Sequence, residues 1–297
     1  MKNVFIAILL LFLLTFKYRK EKEGYENRFE NVGNIGNLIC DYYYNYLMCI
    51  LQKKDFEWLS DNEFIKLFPK KIIFNEDIYN KLKEKKIEYE TYKDHHSLSF
   101  WNNKTNEQKI IHEIMKPYMY NIFNTSFVNS NLKTKVDYPI IHFRCADTPF
   151  MKHQDYYFQN YNYFKKGMEE IKQKVKFDKI VILSCSTHQS TVEIQKACTT
   201  YSHLLKEALN EYKVEIQCGN IVEDFVKMFY APAVISTISS FSYMSGFFGG
   251  GVFIIPSSIT NNREIDELDS HYKGFNILHD SVSDYHNIDE VYKLLIT

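Results

Sequence analysis

Neither sign of charge dominates this chain. It has 36 basic and 37 acidic side chains and a formal net charge of −1, so it lacks the global field that would wrap nucleic acid. An anionic ligand must be held by a local group. Metal-binding spacing is also missing. The six cysteines (Cys40, Cys49, Cys145, Cys185, Cys198 and Cys218) form no CxxC pair and no His-rich cluster accompanies them, which argues against a structural zinc. Their even number permits disulfides. However, Cys145 and Cys185 sit in apolar strand-like runs, where a free buried thiol is the expected state, so the redox compartment stays open. No internal repeat follows Asn27.

Long hydrophobic runs are scarce too. Val4 to Phe16 is apolar apart from Thr15, but thirteen residues reach only about 20 Å as a helix, against a hydrocarbon core of about 30 Å. That length fits a signal peptide core or a short signal anchor. No small-x-small cleavage site follows, which favours an uncleaved anchor. Lys17, Arg19, Lys20 and Lys22 complicate its orientation, because positive charge tends to stay cytoplasmic. The expectation is a membrane-associated protein of the ER, Golgi or wider secretory pathway, with the cytosolic side left open.

What is present is a core. Of 297 residues, 45% are hydrophobic and 25% charged, a globular profile with room for two ordinary domains or one large one. The 23 Tyr and 23 Phe suit carbohydrate contact. Abundant Lys, Asn and Ile point equally to AT-rich coding, so the aromatics decide nothing. Residues 1–26 read as anchor and stalk, 27–135 as an N-terminal domain and 136–297 as a C-terminal one.

In the first half, Asn37 to Leu51 has the composition of a buried helix and follows the glycine-bearing turn Gly33-Asn34-Ile35-Gly36. Lys71 to Phe74 reads as a short strand and Glu107 to Phe123 as a helix. Asn124 to Asp137 reads as a polar linker. Asn124-Thr125-Ser126 and Asn103-Lys104-Thr105 are glycosylation triplets if lumenal.

The second half alternates. Strands are expected at Tyr138–Phe143, Lys179–Ser184, Val214–Gln217, Ala233–Ser236 and Val252–Ile255. Helices are expected at Tyr157–Val175, Thr191–Tyr212, Glu223–Tyr230 and Ser240–Phe248. Short apolar strands separated by helices predict an α/β fold with a parallel sheet buried on both faces. Ligands in such sheets bind beyond the carboxyl ends of the strands.

Two of those ends carry anion-suited groups. Ile140 to Asp147 (IIHFRCAD) places Arg144 on the same side as His142 as the strand leaves the sheet. A guanidinium there needs an anion. A diphosphate suits its planar fork, and an ion pair with Asp147 is the structural alternative. Ala233 to Ile238 then runs into Ser239-Ser240-Phe241-Ser242, where Ser239 is a helix N-cap candidate and the backbone N–H groups of Ser240 and Phe241 form a phosphate cradle. Gly249-Gly250-Gly251 reads as a helix stop, since it lacks GxGxxG spacing and a following Lys. Glu223 and Asp224 read as capping carboxylates, or in the functional alternative as ligands of a donor's ribose or base.

These segments resemble a known pattern. His142-Phe143-Arg144-Cys145-Ala146-Asp147 resembles the HxRxxD motif of the α1,2-, α1,6- and protein-O-fucosyltransferase superfamily. Glu223 to Phe241 is similar to that superfamily's acidic helix, strand and Ser-Ser-Phe motif, and Gly33 to Asn37 to its G-x-x-G-N motif. The three stand in the expected order between residues 33 and 241.

The resemblance implies a GT-B-like fold, two Rossmann-like domains facing a cleft, and an inverting, metal-independent glycosyltransferase using GDP-fucose. It implies that His142 and Arg144 hold the donor, with Arg144 on the β-phosphate. Ser239, Ser240 and Phe241 would support the diphosphate, Asp224 the nucleotide, and Asn37 the acceptor side. The absence of a clear DxD motif accords with metal independence. The acceptor would be a hydroxyl of a glycan or protein. No cofactor and no metal is expected, and the other partner is the membrane.

The chain departs from the pattern at several places. Cys145 and Ala146 stand where relatives often carry basic or small polar residues, so a second phosphate-binding Arg is missing. Ser184-Cys185-Ser186 lacks an acidic residue for the nucleotide, and Tyr243-Met244 replaces paired tryptophans. Sugar and base therefore stay open. Asp147, His153, Asp155 and Asp41 are the candidate general bases. The alternatives are the same fold with another nucleotide sugar, or a non-catalytic nucleotide- or glycan-binding protein.

Overall fold

The computed structural model describes residues 35–93, 106–145, 159–185, 192–237, 239–256, 271–272 and 275–278. The apolar run 4–16 lies outside them, and among the described residues no helix is long and apolar enough to cross a membrane.

The first helix, α1 (Ile35–Leu51), buries side chains on nearly every face, including Ile39, Tyr43, Leu47 and Ile50 at 0–1% exposure. A helix apolar all round belongs inside a protein. A two-stranded antiparallel ribbon follows, β1 (Phe56–Glu57) with β2 (Lys71–Ile72), enclosing a short 3₁₀ turn at Ile65–Leu67. Next come α2 (Glu76–Glu84), α3 (Tyr89–Tyr92) and α4 (Asn106–Asn129). The first part of the expected linker, 124–129, is instead the end of α4, and 130–137 is irregular as expected. Ile111, Met115, Met119, Phe123 and Phe127 recur every four residues and are all fully buried, so the helical stripe continues past Phe123 and carries the backbone with it. Asn124 sits inside this helix and accepts a hydrogen bond from the Tyr230 hydroxyl at 2.8 Å. The triplet Asn124-Thr125-Ser126 therefore lies in a helix rather than in the polar linker where it was expected. The second triplet lies outside the described residues.

From Ile140 the chain is regular. Strands β3 (Ile140–His142), β4 (Ile180–Leu183), β5 (Val214–Gln217), β6 (Ala233–Ser236) and β7 (Val252–Pro256) alternate with α5 (Tyr161–Lys174), α6 (Val192–Ala208), α7 (Ile221–Tyr230) and α8 (Ser240–Phe248). Two more strands, β8 (His271–Tyr272) and β9 (Phe275–Leu278), close the edge. The sheet order is β5-β4-β3-β6-β7-β9-β8, parallel throughout except at β8. Counted from β3, the first five strands run 3-2-1-4-5, the doubly wound order in which the chain reverses direction between β3 and β6.

Side chains alternate between two cores. Ile140, Val181, Leu183, Val234 and Phe253 face one cluster with α1, α4, α7 and α8. Ile141, Ile182, Ile235 and Ile254 face another with α5 and α6. Burying β3, β4 and β6 on both sides is what their continuous apolar runs require. The fold is thus α/β, helices on both faces of one sheet. Residues 35–129 form helices and a ribbon rather than a second Rossmann-like sheet among the described residues. They also share the first cluster with the sheet.

The cysteines differ from expectation. Cys145 is bonded to Cys198 and Cys185 to Cys218, whereas free thiols were expected at Cys145 and Cys185. Cys145 is buried as foreseen and Cys185 half-buried, but α6 and the end of β5 bring partners from 53 and 33 residues away. Cys40 and Cys49 are free.

Candidate functional site at the carboxyl ends of β3 and β6

The ladder of β3 and β6 ends at the pair His142–Ser236, at the point where the strand order reverses. Three segments distant in sequence meet there.

The first is the exit from β3. His142 continues the face of Ile140, and its ring lies 5.5 Å from that of Phe241. Its Nδ1 is buried without a hydrogen-bond partner. Burial first, and the Arg144 cation second, push the His142 pKa down to about 3. The imidazole is therefore neutral at physiological pH, and Arg144 supplies the positive charge. Half-buried Arg144 is tied through its backbone N–H to Thr237 Oγ1 at 3.0 Å.

The second is the start of α8. Ser239 occupies the N-cap position with extended backbone (φ −160°, ψ 121°), but its side chain makes no capping bond. Ser239 is thus the N-cap residue, as expected, without the side-chain bond that often accompanies that position. The first helical bond runs from Tyr243 N–H to the Ser239 carbonyl at 3.0 Å, so the N–H groups of Ser240, Phe241 and Ser242 precede the helical ladder. Ser242 is turned inward and shares a 2.7 Å bond with Ser236 Oγ, pinning the first turn of α8 to the end of β6.

The third is the start of α1. A Cβ on Gly36 would stand 2.3 Å from the Ser240 carbonyl carbon and 2.4 Å from the Phe241 nitrogen. Only glycine lets the two backbones approach so closely. The N-termini of α1 and α8 thus abut, with half-buried Asn37 in the first turn of α1. Neither helix has an acidic residue in its first turn, in contrast to α2 and α7. Two positive dipole ends meet beside the strand end that carries Arg144, without a carboxylate in either first turn, and an anion is what such an arrangement attracts.

Other expected residues lie elsewhere. The cap of α7 is Asn220, whose Oδ1 accepts from Val222 N–H at 2.8 Å, not Glu223 or Asp224. Asp224, 5% exposed, accepts from Gly219 N–H at 3.0 Å and pairs with Lys227 at 3.2 Å. Both oxygens are engaged, so a ribose hydroxyl would have to share them. Asp41 is half-buried on α1. Asp147, His153 and Asp155 lie outside the described residues, as do Gly33 and Asn34. Gly249 ends α8 as expected. Sequence reading missed Thr237 and Tyr163. The Tyr163 hydroxyl donates to the Ser236 carbonyl at 2.7 Å, a contact across 73 residues that no local pattern announces.

A pH dependence follows from His142. The unfolded ring takes up a proton near pH 6.5, whereas the folded ring stays neutral down to about 3. Between those values the unfolded chain binds more protons, so stability falls as pH drops below about 6.5 and is unaffected above it. In urea titrations from pH 7 to 4, the wild-type midpoint is expected to fall more steeply than that of His142→Phe, which keeps the ring contact with Phe241. Parallel curves would refute this.

Scans against protein-family models, curated proteins and solved structures each found no match.

Proposed function

We propose that the chain is a glycosyltransferase that holds a nucleotide-sugar diphosphate where β3 and β6 part, with GDP-fucose as the leading donor. The observation that carries this is the meeting of the α1 and α8 N-termini, through Gly36 and the Ser240–Phe241 peptide, on the sheet face that His142 and Arg144 extend. Those three segments are the ones that resemble the fucosyltransferase motifs, and their convergence supports one ligand served by all three.

In this reading, Arg144 and the α8 N-terminus stabilise charge developing on the leaving diphosphate. Fixed dipoles and an undissociable cation are effective because they need no reorganisation as the bond breaks. With positive charge supplied this way and no DxD motif in the sequence, the transfer is proposed to be metal-independent, and the fucosyltransferase resemblance implies that it is inverting. Neutral His142 packs beside the cation without adding to its charge. Asn37 stands on the acceptor side. The acceptor is a glycan or protein hydroxyl, and its base is drawn from Asp147, His153, Asp155 and Asp41. Of the GT-B-like arrangement this proposal keeps the sugar-nucleotide-binding Rossmann-like half, since residues 35–129 form helices and a ribbon. A secretory-pathway location also belongs to it, supported by the apolar run 4–16 and by two disulfides, which persist in oxidising compartments.

The test is a thermal-shift comparison of GDP, UDP and CMP on wild type and Arg144→Ala. At a concentration of about 100 times Kd, a ligand bound only by the native state adds about 2.7 kcal/mol. GDP is expected to raise the wild-type Tm clearly and the Arg144→Ala Tm hardly at all. Stabilisation by UDP alone would replace GDP-fucose as donor. Indifference to all three, or full transfer activity in Arg144→Ala, would end the phosphate assignment.

A further inference from the structure

At the point where β3 and β6 separate, the backbone ladder is continued by side chains. The last paired residues are His142 and Ser236. On the β4 side β3 keeps a backbone bond, Phe143 N–H to the Leu183 carbonyl at 2.9 Å. On the β6 side the next donor, Arg144 N–H, is received by the Thr237 hydroxyl at 3.0 Å. The nearby Ser236 carbonyl accepts from Tyr163 at 2.7 Å instead. Thr237 is 2% exposed, so this bond is made inside the protein, where an unmet N–H is costly.

A hydroxyl on a rotatable side chain can turn toward a donor that the carbonyl row of its strand no longer faces. Receiving the Arg144 N–H on Oγ1 therefore satisfies the donor while letting the two strands part. In doubly wound sheets the ligand crevice opens at this reversal. We infer that Thr237 is the positioning residue for Arg144, fixing where its backbone leaves the sheet and hence where the guanidinium meets a diphosphate. The inference rests on the diphosphate reading above. Two-point recognition of phosphate by a planar fork tolerates little displacement, so loss of this one bond is expected to weaken anion binding without unfolding the chain.

The experiment titrates GDP and inorganic pyrophosphate, by calorimetry, into wild type, Thr237→Ser, Thr237→Val, Arg144→Ala and the Thr237→Val/Arg144→Ala double variant. Thr237→Ser keeps the acceptor and is expected to bind within about twofold of wild type. Thr237→Val keeps the shape, loses the acceptor and is expected to bind about five- to twentyfold more weakly, a typical loss for one buried bond. In the Arg144→Ala background the same change is expected to cost nothing further. If valine is not tolerated, Thr237→Ala removes the acceptor without added bulk and carries the same expectation. Equal losses in both backgrounds, equal losses for serine and valine, or wild-type affinity in Thr237→Val would each overturn the Thr237 role alone. Absence of GDP and pyrophosphate binding by the wild-type protein would overturn the diphosphate reading, and the inference with it.

Discussion

Gly36→Ala is expected to lower the Tm by roughly 5 °C and to abolish any response to GDP. Helix propensity alone points the other way, since alanine in place of glycine within a helix gains up to about 1 kcal/mol. The packing decides the sign. The new methyl would stand 2.3 Å from the Ser240 carbonyl carbon and 2.6 Å from its oxygen, which are backbone atoms that no rotamer change can remove. Helices α1 and α8 must then separate, at a cost of about 3 kcal/mol for overpacking, which in a chain of this size gives the stated shift. Separation also dissolves the paired N-termini. Gly250→Ala is the control, because its nearest contact is the flexible Tyr120 ring at 3.6 Å. A thermal melt in which both variants behave alike would refute the close packing.

The second large effect concerns the disulfides. Removing Cys145–Cys198 by paired alanine substitution is expected to cost about 2–4 kcal/mol, chiefly by freeing the unfolded chain. The two bridges should differ in reactivity. Cys145 and Cys198 are 3% and 0% exposed, whereas Cys218 is exposed and Cys185 half-buried. Thiol–disulfide exchange needs access to a sulfur, so a mild dithiol is expected to open Cys185–Cys218 first. Alkylation followed by mass spectrometry reads the order. Modification of Cys145 or Cys198 ahead of Cys218 would contradict it.

The pattern of elements in the second half was legible in the sequence. Val214–Gln217, Ala233–Ser236 and Ser240–Phe248 are found with their expected bounds, because apolar runs flanked by turn residues leave a buried parallel strand few alternatives. The first half was less so. The end of α4 was misread because Asn124, Thr125 and Ser126 look polar locally. Phe127, fully buried four residues beyond Phe123, holds that turn through contacts with Phe225 and Phe229, about a hundred residues later.

For the site, sequence identified single groups: a cation at a strand end, a serine-led helix start, a glycine-bearing turn. Each depends only on local chemistry, which a linear chain displays. Whether they serve one ligand depends on their mutual distances, and those are set by the strand order and by the contact between two helices that begin about two hundred residues apart. The same holds for the disulfide partners, for Asn220 rather than Glu223 or Asp224 as the cap of α7, and for Thr237 beneath Arg144. The residue types that can hold an anion are a property of the sequence. Their gathering at the parting of β3 and β6 is a property of the fold, because only packing brings donors so far apart along the chain to one place.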